Sequence, residues 1–426
     1  MISETTADAT AAEPLSHRSD RAFVWVWLEG AVEPVVAGRL DDRGTTVTFT
    51  YARSYLQRTD AVALFLPELP LRSGELQPRS GEIAGCVADS APDAWGRRVI
   101  DRRCGARSEL PLLAYLLESG SDRIGALDFQ NSAGVYRPRE ADSATLAELA
   151  EAAERVDSGE PLTPALDRAL LHGTSVGGAR PKALISDDAR HVIAKFSSST
   201  DTYAVVKAEF VAMHLARLAG LDVASVEMAN VLGKDVLLVE RFDRTDVGSR
   251  RMMVSALTIL ERHDAYGIAG RYATYADLAH EIRARFVAAD ETLRELFARI
   301  VFNVLVGNTD DHARNHSAFW DGVHLQLTPA YDVCPQARAG GEAAQAMAFG
   351  PDGDRLSQLS RCVAHAGHYH LTTRHAREIV ERQIAAIHDH WDEACDLAAA
   401  GRAVSQQLWG RQFLNPYALE GYRSVL

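Results

Sequence analysis

Cysteine is scarce and scattered in this chain. Its 426 residues include five, Cys86, Cys104, Cys334, Cys362 and Cys395, with no C-x-x-C pair among them. That argues against a disulfide framework or a zinc ribbon and points to buried free thiols in a reducing compartment. No uninterrupted apolar run approaches the roughly 20 residues that a membrane helix requires. Positive charge is not in excess either: the formal net charge is -13. A broad electrostatic affinity for nucleic acid needs a basic surface, so DNA would have to be reached through a local patch or a partner. Internal repeats are missing. The first 20 residues, MISETTADATAAEPLSHRSD, lack the basic start and apolar centre of a signal peptide. A frayed tail and a cytoplasmic location are expected.

What is present suits a soluble globular chain: 47% hydrophobic and 24% charged residues, in a length sufficient for two or three domains. Residues 22–66 carry three short apolar or alternating runs, AFVWVWL, VTFTY and AVALFL, separated by turn formers, and are expected to be β-rich. A helix is expected from Pro92, capped by Ser90, with Trp95, Val99 and Ile100 as its apolar stripe. Two more helices are expected near 109–119 and 143–156, with DRIGALDF at 122–129 as a strand between them. This first third, 21–160, reads as a small domain without a catalytic constellation of its own.

The chain then changes character. GTSVGGARPKALI and HVIAKF are expected to form a glycine-led hairpin turning at SDDAR, with Lys182 on its first strand and Lys195 on its second. Glycines such as Gly177 and Gly178 let backbone N–H groups approach phosphate closely. AVVKAEFVAMHLARLA, over 204–219, has helical periodicity and carries Glu209, and Gly220 follows in the helix-terminating position. Two strands follow, VASVEMANVL and DVLLVERFDR, turning at Gly233-Lys234. Glu240 to Asp243 then form a connection between two lobes, with Phe242 as an apolar ring beside a nucleotide base. ETLRELFARIVFNVLVGN is the clearest helix in the chain and delivers a polar loop with Asp310 and Asn315. SAFW and VHLQLTP form a hairpin around Asp321-Gly322, and Asp332 comes at its end. The segment 337–354 is expected to be a mobile loop and the chain beyond 355 to be mainly helical. The histidines there (His365, His368, His370, His375, His388, His390) are expected on the surface or in the core rather than at a metal.

Glycine loop, lysine strand, glutamate helix, connection, apolar helix, Asp/Asn loop, hairpin and Asp is the protein-kinase order of parts. In that order Asp310 orients an acceptor hydroxyl and takes its proton, Asn315 and Asp332 offer hard oxygens to Mg²⁺, and Lys195 meets phosphate with Glu209 as its ion-pair partner. His312 and Arg314 lie between the two and could contact nucleotide or loop backbone. The fold class expected is α+β: a two-lobed, protein-kinase-like arrangement with an N-terminal α/β part. Residues 161–245 would form the first lobe and 246–426 the helical second lobe.

GTSVGGARPKALI, VERFDR, GNTDDHARN and LTPAYDV, together with LPLR, SAPDAWGRR and DRIGALDF in the first third, resemble the HipA family of bacterial serine/threonine kinases, over about residues 22–400. The resemblance implies an ATP- and Mg²⁺-dependent protein kinase that serves as the toxin of a type II toxin–antitoxin module. Val176, Gly177, Gly178, Ala179, Arg180 and Lys182 would form the phosphate loop, with Lys195 on ATP phosphate, Glu240 and Phe242 at adenine, and Asp310 catalytic. Ser175 would be the autophosphorylated residue that switches the kinase off, with Thr174 beside it as a second candidate. The implied partners are a HipB-like helix-turn-helix antitoxin, operator DNA mainly through that antitoxin, and a protein substrate. For the substrate an aminoacyl-tRNA synthetase is implied, glutamyl-tRNA synthetase first. GGARPK stands where the best-known member has AGAQEK, which leaves the protein substrate open. Two other readings fit the same residues: a non-catalytic nucleotide-binding co-repressor of a helix-turn-helix partner, and a small-molecule kinase. Retention of Asp310, Asn315, Asp332 and Lys195 together favours the kinase, and Ser175 favours a protein acceptor.

Overall fold

The chain forms three antiparallel sheets. The computed structural model describes residues 19–422 apart from 107, 140–143, 159, 161–162, 164–165, 167–169, 171–179, 187–189, 199–200, 264–268 and 339. The first sheet comprises β1 (Arg21–Val26), β2 (Val35–Asp42), β3 (Val47–Tyr51), β4 (Glu75–Leu76) and β5 (Leu127–Gln130), in the order β4-β3-β2-β1-β5. The third expected strand, AVALFL, is not one. Its Phe65 bridges only Leu69, and its apolar side chains are buried against another part of the chain. Phe65 meets Trp320 edge-on at 5.5 Å, and the Trp320 indole N–H donates to the Ala63 carbonyl at 2.8 Å. A short apolar run reports burial, not the element that achieves it.

The second sheet comprises β6 (Lys182–Ser186), β7 (His191–Phe196), β8 (Val226–Val231) and β9 (Lys234–Glu240), ordered β6-β7-β9-β8. One face buries Ala183, Ala194, Phe196 and Val236 under the helix Leu146–Ser158. By the strand period of two, Lys182 and Lys195 leave the opposite face. They are direct partners in the β6–β7 register. The β8–β9 turn is Leu232-Gly233 rather than Gly233-Lys234. Both central residues have positive φ, 53° and 79°, which matches the right-handed twist of the hairpin.

The third sheet, β10 (Met253–Ser255), β11 (Ser317–Trp320) and β12 (Leu325–Leu327), adds a strand to the expected hairpin. The short helices Gly85–Ala88 and Ala256–Ile259 pack on β10, and the long helices of this part of the chain are Tyr275–Arg285, Ala289–Val306 and Thr373–Leu397. The Ala289–Val306 helix is buried from Leu296 to Val306 without a break, so it runs through the core. Gly307 ends it at φ +69, and a Cβ there would lie 2.8 Å from the Gln412 carbonyl oxygen. The segment 337–354, expected to be mobile, has a buried stretch between exposed ones at 340–342 and 351–353. Met347, Ala348 and Phe349 are buried, and the Ala346 N–H donates to Thr309. Among the described residues no helix is long and apolar enough to cross a membrane.

Candidate functional site

The centre of the site is Lys195. Its stem leaves β7 on the face where the helix Val205–Leu218 brings Glu209, a buried carboxylate among that helix's buried apolar residues. Lys195 Nζ lies 2.5 Å from Glu209 Oε1 and 2.5 Å from Asp332 Oδ1. Burial disfavours the ammonium, yet the Asp332 and Glu209 carboxylates hold it protonated above the ordinary lysine range. Burial pushes the Glu209 carboxyl upward against the pull of Lys195. Lys195 dominates at Asp332 and takes its pKa down to about 2.

Asp332 has φ +58, a left-handed conformation that costs an L-residue about 1–2 kcal/mol. The Asp332 carbonyl accepts from Cys334 N–H at 2.9 Å and from Asn308 Nδ2 at 3.5 Å. Backbone strain held in place by surrounding bonds is a feature of functional positions.

The loop after Gly307 presents Asp310 on the surface and tucks Asn315 in. Partial desolvation raises the Asp310 carboxyl, with the Asp332 and Asp311 carboxylates adding to the rise and His312 opposing it. Asn315 Nδ2 donates to the Asp310 carbonyl at 3.3 Å, so the Asn315 amide oxygen is the atom it could offer as a ligand. That oxygen and the Asp332 carboxylate are hard donors of the kind a magnesium ion takes. His312 Nδ1 is buried and has no hydrogen-bond partner among the described residues. The neighbouring Asp311, absent from the expected set, is fully enclosed. It accepts from the Tyr275 hydroxyl at 2.7 Å and pairs with His316 Nε2 at 3.0 Å. The paired charge and these bonds keep it ionised in spite of burial. Asp311 thereby pins the loop from behind while Asp310 faces outward.

The connection between the lobes is held as firmly. Phe242 packs 5.8 Å from Tyr331 and 6.0 Å, edge-on, from Phe319, and Glu240 is exposed at the end of β9. Between and beyond them Arg241, Asp243 and Arg244 enter a buried charge network. Asp243 takes Arg241 Nε at 2.9 Å, Arg244 Nη1 at 2.9 Å and the Gly125 N–H at 2.7 Å. Asp122 reaches Arg241 at 3.0 Å and Arg244 at 2.6 Å. Asp122 and Gly125 belong to the first third of the chain, so that part clamps the connection.

Lys182 is only 2% exposed, and its Nζ donates to Asp93 Oδ2 at 3.0 Å. Asp93, not Ser90, caps the helix Ala94–Arg103, its other oxygen accepting from Gly96 N–H at 2.8 Å. Arg180 pairs with Asp201 at 2.7 Å. Thr174, Ser175, Val176, Gly177, Gly178 and Ala179 lie outside the described residues. In the C-terminal third, His365 comes together with Asp352 and Asp354, potential ligand atoms all within 4.8 Å. Arg361 also approaches Asp354, at 3.6 Å.

Two family models match the chain: the HipA N-terminal domain over residues 26–130 and the HipA-like C-terminal domain over residues 174–391. The chain belongs to the HipA family. Asp93, Asp122 and Gly125 fall in the N-terminal match, and Lys195, Glu209, Asp310, Asn315 and Asp332 fall in the C-terminal one. A Sinorhizobium fredii protein that carries a kinase name, Y4mE, is 30% identical over 151 residues, 33% of each chain. The serine/threonine-protein kinase toxin HipA of Shewanella oneidensis is 25% identical over 183 residues, 37% of this chain and 42% of the toxin. These alignments span a third to two-fifths of the relatives' lengths. Among solved structures, HipA of Shewanella oneidensis MR-1, in a complex with HipB and operator DNA, superposes with a TM-score of 0.65 at 21% identity, covering 88% of this chain and 94% of that one. That likeness establishes the fold, α+β and two-lobed like a protein kinase.

Proposed function

We propose that this chain is an ATP-dependent serine/threonine protein kinase and the toxin of a type II toxin–antitoxin module. The observation that carries the proposal is Lys195 held between Glu209 and Asp332, 2.5 Å from each, beside a loop that offers Asp310 and Asn315. In the reaction the acceptor hydroxyl oxygen bonds to the γ-phosphorus as the bond from that phosphorus to the ADP oxygen breaks. The hydroxyl proton passes to the Asp310 carboxylate. Lys195 places positive charge beside the phosphates, and Glu209 keeps its ammonium from swinging away. Phe242 and the Glu240 backbone offer an apolar and hydrogen-bonding edge to adenine. Asn315 and Asp332 would hold Mg²⁺, which when bound supplies charge neutralisation to the transferring phosphate.

The proposed protein substrate is an aminoacyl-tRNA synthetase, glutamyl-tRNA synthetase first, with phosphorylation of Ser175 as self-inactivation. A HipB-like helix-turn-helix antitoxin is the proposed partner and would bring operator DNA. The S. oneidensis complex supports that pairing, as does a net charge of -13, which leaves DNA contact to the partner. The test is intact mass of the full chain after incubation with Mg-ATP. Phosphate is expected on the natural sequence and none on Asp310→Asn, which should still bind ATP. Failure of the natural sequence to bind ATP would overturn the assignment.

A further inference from the structure

One helix of the N-terminal domain reaches the nucleotide side of the second sheet. The carboxylate of Asp93 is divided between two tasks. Oδ1 caps the helix Ala94–Arg103, and Oδ2 accepts from Lys182 Nζ across 89 residues of sequence. Farther along, the same helix packs Trp95 and Val99 against Ala152, Val156, Leu166 and Leu170. It is therefore fixed to the chain both before and after residues 171–179.

Lys182 is placed where its charge matters. It stands opposite Lys195 in the β6–β7 register, on the face that carries Glu209 and Asp332. Two like charges directly opposite in a sheet repel, and a buried ammonium without a counter-charge is costly. Glu209 and Asp332 are bonded to Lys195. Asp93 is a carboxylate bonded to Lys182; burial and Lys195 work against the Lys182 charge, and Asp93, with Asp332 at longer range, supports it.

We infer that Asp93 is a positioning residue for the nucleotide's phosphates: by holding Lys182 charged and fixed beside Lys195, the N-terminal domain completes the cationic pair that receives the triphosphate. The inference rests on the phosphotransferase reading above and adds to it a specific dependence on a residue of the other domain.

Asp93→Asn separates the two tasks, because Asn caps a helix as well as Asp does but offers Lys182 no charge. Equilibrium binding of ATP and of adenosine to the full chain is the measurement, on the natural sequence, Asp93→Asn, Lys182→Met and the double variant. Asp93→Asn is expected to weaken ATP roughly tenfold, the loss of one charge-assisted contact, and to leave adenosine binding unchanged. The double variant is expected to bind ATP no worse than Lys182→Met alone, since Asp93 acts through Lys182. Asp93→Glu should recover part of the ATP affinity. Equal ATP affinity in Asp93→Asn and the natural sequence would overturn the inference, as would additive losses in the double variant or a parallel loss of adenosine binding. If Asp93→Asn does not fold, Asp93→Ser, another good cap without charge, takes its place in the same comparison. Failure of every protein, the natural sequence included, to bind ATP would instead count against the phosphotransferase reading.

Discussion

Replacing Asp243 by Asn tests whether the connection between the lobes is held by charge. Asp243 is 2% exposed and accepts from Arg241, Arg244 and the Gly125 N–H. Burial opposes its ionisation, but Arg241 and Arg244 overcome burial and take its pKa from 3.8 to about 2. At 1.36 kcal/mol per pH unit, that displacement corresponds to about 2–3 kcal/mol of stability at neutral pH. Removing one partner of a buried ion pair typically costs about 3–5 kcal/mol, because the other charge stays behind. Here two arginines stay behind with Asp122, so Asp243→Asn is expected to lose about 2–5 kcal/mol. Glu227→Gln, in the exposed pair Arg190–Glu227, is the control and should lose less than about 1 kcal/mol. Urea unfolding followed by tryptophan fluorescence reads both, and urea does not screen charge. The pH dependence has a definite sign. The folded-state pKa is depressed, so the stabilisation is complete above about pH 4 and disappears as pH falls towards about 2. The gap between the natural sequence and Asp243→Asn should therefore narrow below about pH 4. A gap no larger than that of Glu227→Gln at neutral pH, or one that does not change with pH, would refute the reasoning.

Gly307→Ala should destabilise the chain by at least about 1–2 kcal/mol from its left-handed φ alone. The Gln412 carbonyl oxygen 2.8 Å from the new Cβ adds to this, and an unchanged melting temperature would count against the close approach. Tyr275→Phe removes the hydroxyl donor from the enclosed Asp311 and is expected to cost about 1–3 kcal/mol. It should slow phosphoryl transfer at saturating ATP while leaving ATP affinity as it was; weakened ATP binding would show that Asp311 does more than hold the loop. Leu232→Asn should stabilise by about 0.5–1 kcal/mol, because Asn tolerates the left-handed turn position that an exposed leucine now strains. A loss of stability there would mean that Leu232 makes a contact its exposure does not suggest.

The parts of the site that are legible in the sequence are those whose chemistry follows chain order. Asp310 and Asn315 share one loop, Asp332 closes the next hairpin, and Glu209 sits on the helix after the Lys195 strand. Each pairing needs only the knowledge that consecutive elements pack together. What escapes the sequence is carried by contacts between distant segments. Asp243 meets Gly125 across 118 residues and Lys182 meets Asp93 across 89. No periodicity links such positions. Asp93 is also disguised, since a helix cap is a sufficient local explanation for an Asp before Ala-Trp-Gly. Asp311 stands next to the residue that the motif singles out, and only burial distinguishes the one that faces inward. The run AVALFL fails for a related reason. It is buried in part by Trp320, more than 250 positions later, and its backbone is bonded by the Tyr51, Tyr55 and Trp320 side chains rather than by a neighbouring strand, so its composition resembles that of a strand without the pairing.

The same long-range contacts tie the N-terminal domain to the residues proposed for the chemistry. Three of its carboxylates face donors from the rest of the chain: Asp93 takes Lys182, Asp122 takes Arg241 and Arg244, and Asp89 takes the Ser255 N–H at 2.7 Å and the Thr258 hydroxyl at 2.7 Å. Apolar packing such as Phe65 on Trp320 supplies area without direction. The carboxylates supply direction, since a buried charge is tolerated only against its own partner. One of the three ends beside Lys182 and Lys195, a second on the connection proposed to hold adenine, and the third at the start of the short helix Ala256–Ile259. A partner bound to the N-terminal domain can change nucleotide affinity only to the extent that it favours one arrangement of such contacts over another. On the toxin–antitoxin reading proposed above, Asp93 and Asp122 are the positions at which to test for coupling between a bound partner and the nucleotide.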